Sequence, residues 1–146
     1  MSINENTLLR EENTTVLENL QREHQAIATL IDGAIAASGN ERDRQFAELK
    51  LRLRKHMEAE EADFYPKVAA LSDDASDAID TALAAHTTIK ANLTTLEGTM
   101  STGNLNTLKS NVDAHVVNER AIVFNFARKG FTHNQLNVME IGRAHV

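Results

Sequence analysis

An all-α fold is predicted, an up-down-up-down four-helix bundle closed by a short fifth helix. Three observations predict it. Four stretches carry apolar residues three and four positions apart, the mark of a helix with one buried face. Among 146 residues there are one Pro and six Gly, so the chain has few places to turn. The same stretches are rich in Ala, Leu, Glu, Lys and Gln and lack long β-branched runs. A chain of 146 residues is expected to form one domain with a sizeable core.

The first stripe is Leu17, Leu20, His24, Ile27, Ile31 and Ile35. ASGN at 37–40 then supplies a glycine stop and a cap for the second helix. The second stripe runs Phe46, Leu49, Leu53, His56, Glu60 and Asp63, and Pro66 should kink or fray that helix near its end. LSDD at 71–74 offers Ser72 or Asp73 as the cap of the third helix, whose stripe is Ile79, Leu83, His86, Ile89, Leu93 and Leu96. EGTMSTGN at 97–104 is the clearest loop and ends on Asn104 as a cap. The fourth stripe is Leu105, Leu108, Val112, His115, Glu119, Ile122 and Phe126, with Gly130 as the residue just past the helix. Thr132 caps the short fifth helix. The bundle is placed over 13–130, after an N-terminal extension over 1–12 and before a C-terminal helix or tail over 131–146.

A formal charge of −6 argues against nucleic acid or an anionic membrane surface as the main partner. No apolar run approaches the roughly 20 residues that span a bilayer, and the start shows no secretory signal. The expected location is the cytoplasm. With no Cys there are no disulfides, iron–sulfur ligands or thiol nucleophiles, so any metal would rest on His and carboxylates.

Every stripe is apolar until it reaches a histidine, and twice a glutamate follows four residues later, in HMEAE (56–60) and HVVNE (115–119). Short loops force the helices to alternate. The helix legs on either side of each loop are near equal, about 11 to 15 residues at about 1.5 Å each, which brings His24, His56, His86 and His115 to one layer. Glu60 and Glu119 then lie about 6 Å from that layer on the same side. Taken singly, each feature is bland: a core histidine, or a surface His–Glu pair. Together they are not. Burying six such groups without partners would cost several kcal/mol for each charge, against a total stability of roughly 5–15 kcal/mol. Cations would cancel the carboxylate charges and take up the imidazole lone pairs.

Imidazole and carboxylate without thiolate suit Fe, Mn or Zn. Four His and two Glu are too many for one tetrahedral zinc and match two metals sharing the carboxylates. A ferritin-like site needs Glu three residues before its His. Gln21, Leu53, Leu83 and Val112 stand there instead.

The set His24, HMEAE, His86 and HVVNE resembles the hemerythrin-like family, the HHE cation-binding domain. HMEAEEADFYP (56–66) looks like that family's second-helix signature and NVDAHVVNERAIVFNF like its fourth helix. The likeness covers roughly residues 13–130. It implies two irons with an oxo or hydroxo bridge, favoured over manganese or zinc. His24 and His56 would bind one, His86 and His115 the other, with Glu60 and Glu119 bridging both. Oxygen-carrying members have a second His one turn after the third-helix ligand. Here that place is Lys90. Five ligands per iron would leave both irons open, which disfavours reversible oxygen carriage.

The resemblance thus implies a non-haem di-iron protein binding O2, peroxide or NO, with catalase-like peroxide removal as its enzymatic form. The alternative is non-catalytic oxygen storage, or iron buffering or sensing. Repair members often carry a Cys-bearing segment and sensor members a further domain, and neither feature is present in this sequence. Asp63 is read as either a residue orienting a ligand or a solvated one. Glu58, Glu61, His133 and His145 are read as surface residues. Tyr65, about half a turn from His56, is read as core packing.

Overall fold

The computed structural model describes residues 15–139. The N-terminal extension over 1–12 and His145 lie outside the described residues. Helix α1 is Val16–Ala36 and α2 is Gly39–Ala59. A π-helical turn at Glu60–Phe64 joins α2 to α3, Tyr65–Ala69. Helix α4 is Asp73–Gly98 and α5 is Thr102–Asn118. A second π turn at Glu119–Val123 leads into α6, Phe124–Gly130, and α7 is His133–Val138. The described residues contain no strand. They form four long helical rods, consistent with a bundle, and a short last helix. None of these helices is long and apolar enough to cross a membrane.

Helices α1, α4, α5 and α7 start where a side chain accepts an otherwise orphaned amide. Thr15, Ser72 and Ser101 accept from Glu18, Ala75 and Asn104 in turn. The cap of α5 is therefore Ser101, not Asn104, because the helix begins three residues earlier than expected. The Asn104 amide group bonds Thr99 O at 2.9 Å instead. Thr132 caps α7 in a full capping box, with Gln135 returning a bond to the Thr132 amide at 2.8 Å. Gly39, the first residue of α2, takes φ 58°, a left-handed backbone that glycine adopts without strain. Gly130 has no such role. It is the last residue of α6, and a Cβ there would come within 2.5 Å of Leu71 Cδ1. It is small because of close packing.

The carbonyl end of α1 is held by Arg42, which donates to Ala34 O and Ile35 O, each at 2.9 Å, and to Thr102 Oγ1 at 3.1 Å. One side chain thus satisfies two C-terminal carbonyls and ties three helices together. Arg42→Ala should cost about 1–2 kcal/mol, a few degrees in Tm, because charged hydrogen bonds to part-buried carbonyls are lost. A melt unchanged to within a degree would show that water replaces Arg42 at no cost.

Two apolar clusters fill the interior. One gathers Leu20, Phe64, Tyr65, Val68, Ile79 and Phe124, and Leu136 and Met139 join it from the last helix and its end. The other gathers Ile27, Ile31, Leu49, Leu53, Met57, Ile89, Leu93 and Leu105. His24 stands between Leu20 and Ile27 in sequence, and His86 between Ala82 and Ile89. The histidines therefore mark a polar layer between two dry ones.

The stripes hold up to that layer and then slip. After Glu60 the buried residues are Phe64, Tyr65 and Val68, while Asp63 pairs with Lys67 at 2.8 Å. After Glu119 they are Val123, Phe124 and Ala127, while Ile122 is exposed and Phe126 only partly buried. A π turn absorbs one extra residue, so each later residue faces where its predecessor would in a continuous α-helix. On α4, which has no π turn, Leu83 is at the edge of exposure and Ala82 faces inward. Pro66 does not end its helix, which continues to Ala69 with Val68 fully buried. The π turn lies just before Pro66, and Tyr65 N bonds Glu60 O across it. Proline is not the cause of the π turn, since the second one has none. What the two turns share is that each begins on a buried glutamate.

Candidate metal centre

His24 comes from α1, His56 from α2, His86 from α4 and His115 from α5. Glu60 and Glu119 are the first residues of the two π turns. All six are buried, and both glutamates are wholly so. Their donor atoms form two groups: His24, His56, Glu60 and Glu119, and Glu60, His86, His115 and Glu119. Within each group one donor atom per residue lies within 4.8 Å of all the others. The structure therefore brings together all six residues singled out in the sequence, and both glutamates belong to both groups.

The carboxylates span the pairs. Glu60 Oε1 lies 3.1 Å from His56 Nε2 and 3.2 Å from His86 Nε2. Glu119 Oε1 lies 3.0 Å from His24 Nε2, and its Oε2 lies 3.4 Å from His115 Nε2. Yet several of these atoms have no hydrogen-bond partner: His24 Nε2, His56 Nε2, Glu60 Oε2 and Glu119 Oε1. Buried polar atoms left this way are rare and costly. They converge on shared points and do not bond one another, which is how ligands to a cation are arranged. The donor set fits metal.

Electrostatics supports the same reading. Burial alone would push His56 and His86 down, but the Glu60 carboxylate and its neighbours raise both. Burial would raise Glu119, but the imidazoles of His115 and His24 beside it hold it well below the usual carboxylate range. The pocket thus keeps the Glu119 carboxylate ionised in a dry interior, where a cation is the natural partner.

Several residues of the site were not foreseen as such. Tyr65 is fully buried, and its hydroxyl lies 3.3 Å from Glu60 Oε1, 3.2 Å from His86 Nε2 and 3.4 Å from His115 Nε2. It also donates a short bond to Glu119 Oε2. In a continuous α-helix Tyr65 would be about 180° from His56; with one residue absorbed by the π turn the angle falls to about 80°. Burial and the charges of Glu60 and Glu119 push the phenol's pKa up, so it stays a proton donor. Its counterpart, five residues after Glu119, is Phe124, stacked on His24 with centroids 6.1 Å apart at 8°. The parallel spacing, Glu then aromatic at the fifth place, was the available signal.

Two further carboxylates stand behind the rings. Glu23 Oε1 lies 2.5 Å from His56 Nδ1, and Glu61 Oε2 lies 2.7 Å from His86 Nδ1. Glu61 is therefore no solvated bystander. It also bonds Lys90 Nζ at 3.0 Å, and these contacts outweigh burial to hold its pKa low. Nδ1 of His24 and of His115 has no partner. Glu58 and His133 are exposed, as expected of surface residues. On the other flank His24, His56 and His115 border a small pocket walled by Ile27, Leu53, Met57, Ile89, Val112 and Val116.

Four long helices with two overlapping sets of buried His and Glu define a helical protein equipped for cation binding. The family model described as the hemerythrin HHE cation-binding domain matches residues 15–127, and the chain belongs to that family. No curated protein and no solved structure matches the chain.

Proposed function

We propose that His24, His56, Glu60, His86, His115 and Glu119 hold two cations, iron in the cell, and that the pair binds O2, peroxide or NO. The bundle spanning 13–130 would run up-down-up-down, which the short connections between its helices favour. The observation that carries this reading is the convergence of buried donor atoms from four rods on two adjoining points, several of them without a hydrogen-bond partner. A bound iron pair supplies reversible electron transfer to a small oxygen or nitrogen ligand. The chain supplies the rest. The apolar pocket beside His24 and His56 excludes water and admits only something small. Tyr65 fills the side of His86 and His115 and holds a proton beside both carboxylates. The opening expected on both halves would then be served by this one pocket, which His24, His56 and His115 all border.

Two observations divide the function between turnover and plain binding. The pocket wall carries no carboxylate or hydroxyl, which favours storage or sensing without chemistry. Tyr65 offers a phenolic proton at the centre, which favours peroxide removal. Metal analysis of the purified protein should give about two irons per chain by ligand count. Azide should then alter its visible spectrum, and oxygen evolution from peroxide would mark turnover. Tyr65→Phe should keep the metal and, if turnover occurs, lower its rate by about 10²–10⁴-fold. An unchanged rate would remove Tyr65 from the chemistry. One zinc per chain, or none, would end the di-iron reading.

A further inference from the structure

We propose that Lys90 and Glu61 form a positioning pair that sets how tightly the His86 half of the centre holds its cation. The inference rests on the metal reading above. Glu61 stands beside Glu60 in the first π turn, and its carboxylate reaches across to α4. One oxygen lies 2.7 Å from His86 Nδ1, which fixes the ring so that Nε2 faces Glu60 and His115. A carboxylate on the remote nitrogen of a ligating imidazole fixes its tautomer and makes the other nitrogen a better donor. Glu61 is 27% exposed, so water competes for it. Lys90, one turn beyond His86 on the same helix, answers that competition: its ammonium lies 3.0 Å from both Glu61 oxygens. The lysine touches no donor of the centre. Whatever it does there passes through Glu61.

The two halves differ in this respect. Glu23 backs His56 with no cation shown beside it, whereas Glu61 is held from both sides. Affinity on the second half should therefore respond to a surface charge, and on the first half it should not.

The test titrates metal-stripped full-length protein with Fe(II) and Zn(II) against a competing chelator. Glu61→Gln should weaken one of the two sites by about 10–100-fold. Lys90→Met should weaken the same site by several-fold, and Lys90→Arg should restore it to within about twofold, since either cation can hold the carboxylate. Lys90→Met added to Glu61→Gln should have no further effect, because a residue acting through another is silent without it. Glu58→Gln, exposed on α2, should change nothing. Metal-free melts should stay within a few degrees, as an exposed pair contributes little to folding. Glu61→Gln within twofold of the parent, or Lys90→Met adding fully to it, would overturn the pair. Failure of the parent to bind metal, or His86→Ala retaining both ions, would instead overturn the centre itself.

Discussion

Stripping the protein of metal should lower its Tm by roughly 10–20 °C. A ligand bound only to the folded state stabilises it by about 2.7 kcal/mol at one hundred times its Kd, and two such sites contribute about twice that. Each kcal/mol moves the Tm of a domain this size by about 2–4 °C. The donors cannot find this arrangement in the unfolded chain, since they come from four separate rods. Glu119→Ala should abolish most of the difference between loaded and stripped protein, because Glu119 reaches His24 with one oxygen and His115 with the other. Calorimetry with and without a chelator checks both. A parent protein whose melt ignores chelation would reduce the centre to a set of core histidines. A plain bundle would also melt alike in His56→Ala and His115→Ala with metal present or absent.

Phe124→Ala should destabilise even the metal-free protein by about 3–5 kcal/mol, the usual cost of truncating a fully buried phenylalanine. Phe124 is wholly buried, meets Phe64 edge-on at 6.0 Å and lies flat along His24. Its loss removes a wall of the apolar cluster under the centre and the surface that holds the His24 ring. The stripped variant should melt roughly 10 °C lower, and a loaded one should bind metal more weakly on the His24 and His56 side. Phe124→Leu, which refills much of the volume, should recover most of the stability and less of the metal affinity. Equal recovery of both would mean that ring stacking on His24 plays no part.

Up to the histidine layer, the inner face of each helix was largely legible as a 3.6-residue period, because an α-helix has one phase and burial selects one side of it. The six donors were legible for the same reason: each sits in phase with the apolar stripe before it. Beyond Glu60 and Glu119 that arithmetic fails. A π turn changes the phase by one residue, and nothing in EEADF or ERAIV announces it. This is why Asp63 was placed on the stripe with its role left open, and why Ile122 and Phe126 were expected inside and Phe64, Val123 and Ala127 were not. It is also why Tyr65 was read as ordinary packing. Glu23 escaped notice and Glu61 was read as a surface residue because each lies beside a donor in sequence but acts on a ring of another helix. Local periodicity does not report which neighbouring helix a side chain will meet.

The order of residues by itself thus determined the helices, their inward stripes and which side chains would be available to a cation, since all of these follow from local phase and the cost of burying charge. Only the folded arrangement decided the widened turns at the two glutamates, the phenol at the centre and the carboxylates behind His56 and His86. Those depend on what faces each residue across the space between helices, and that is set by packing of the whole chain.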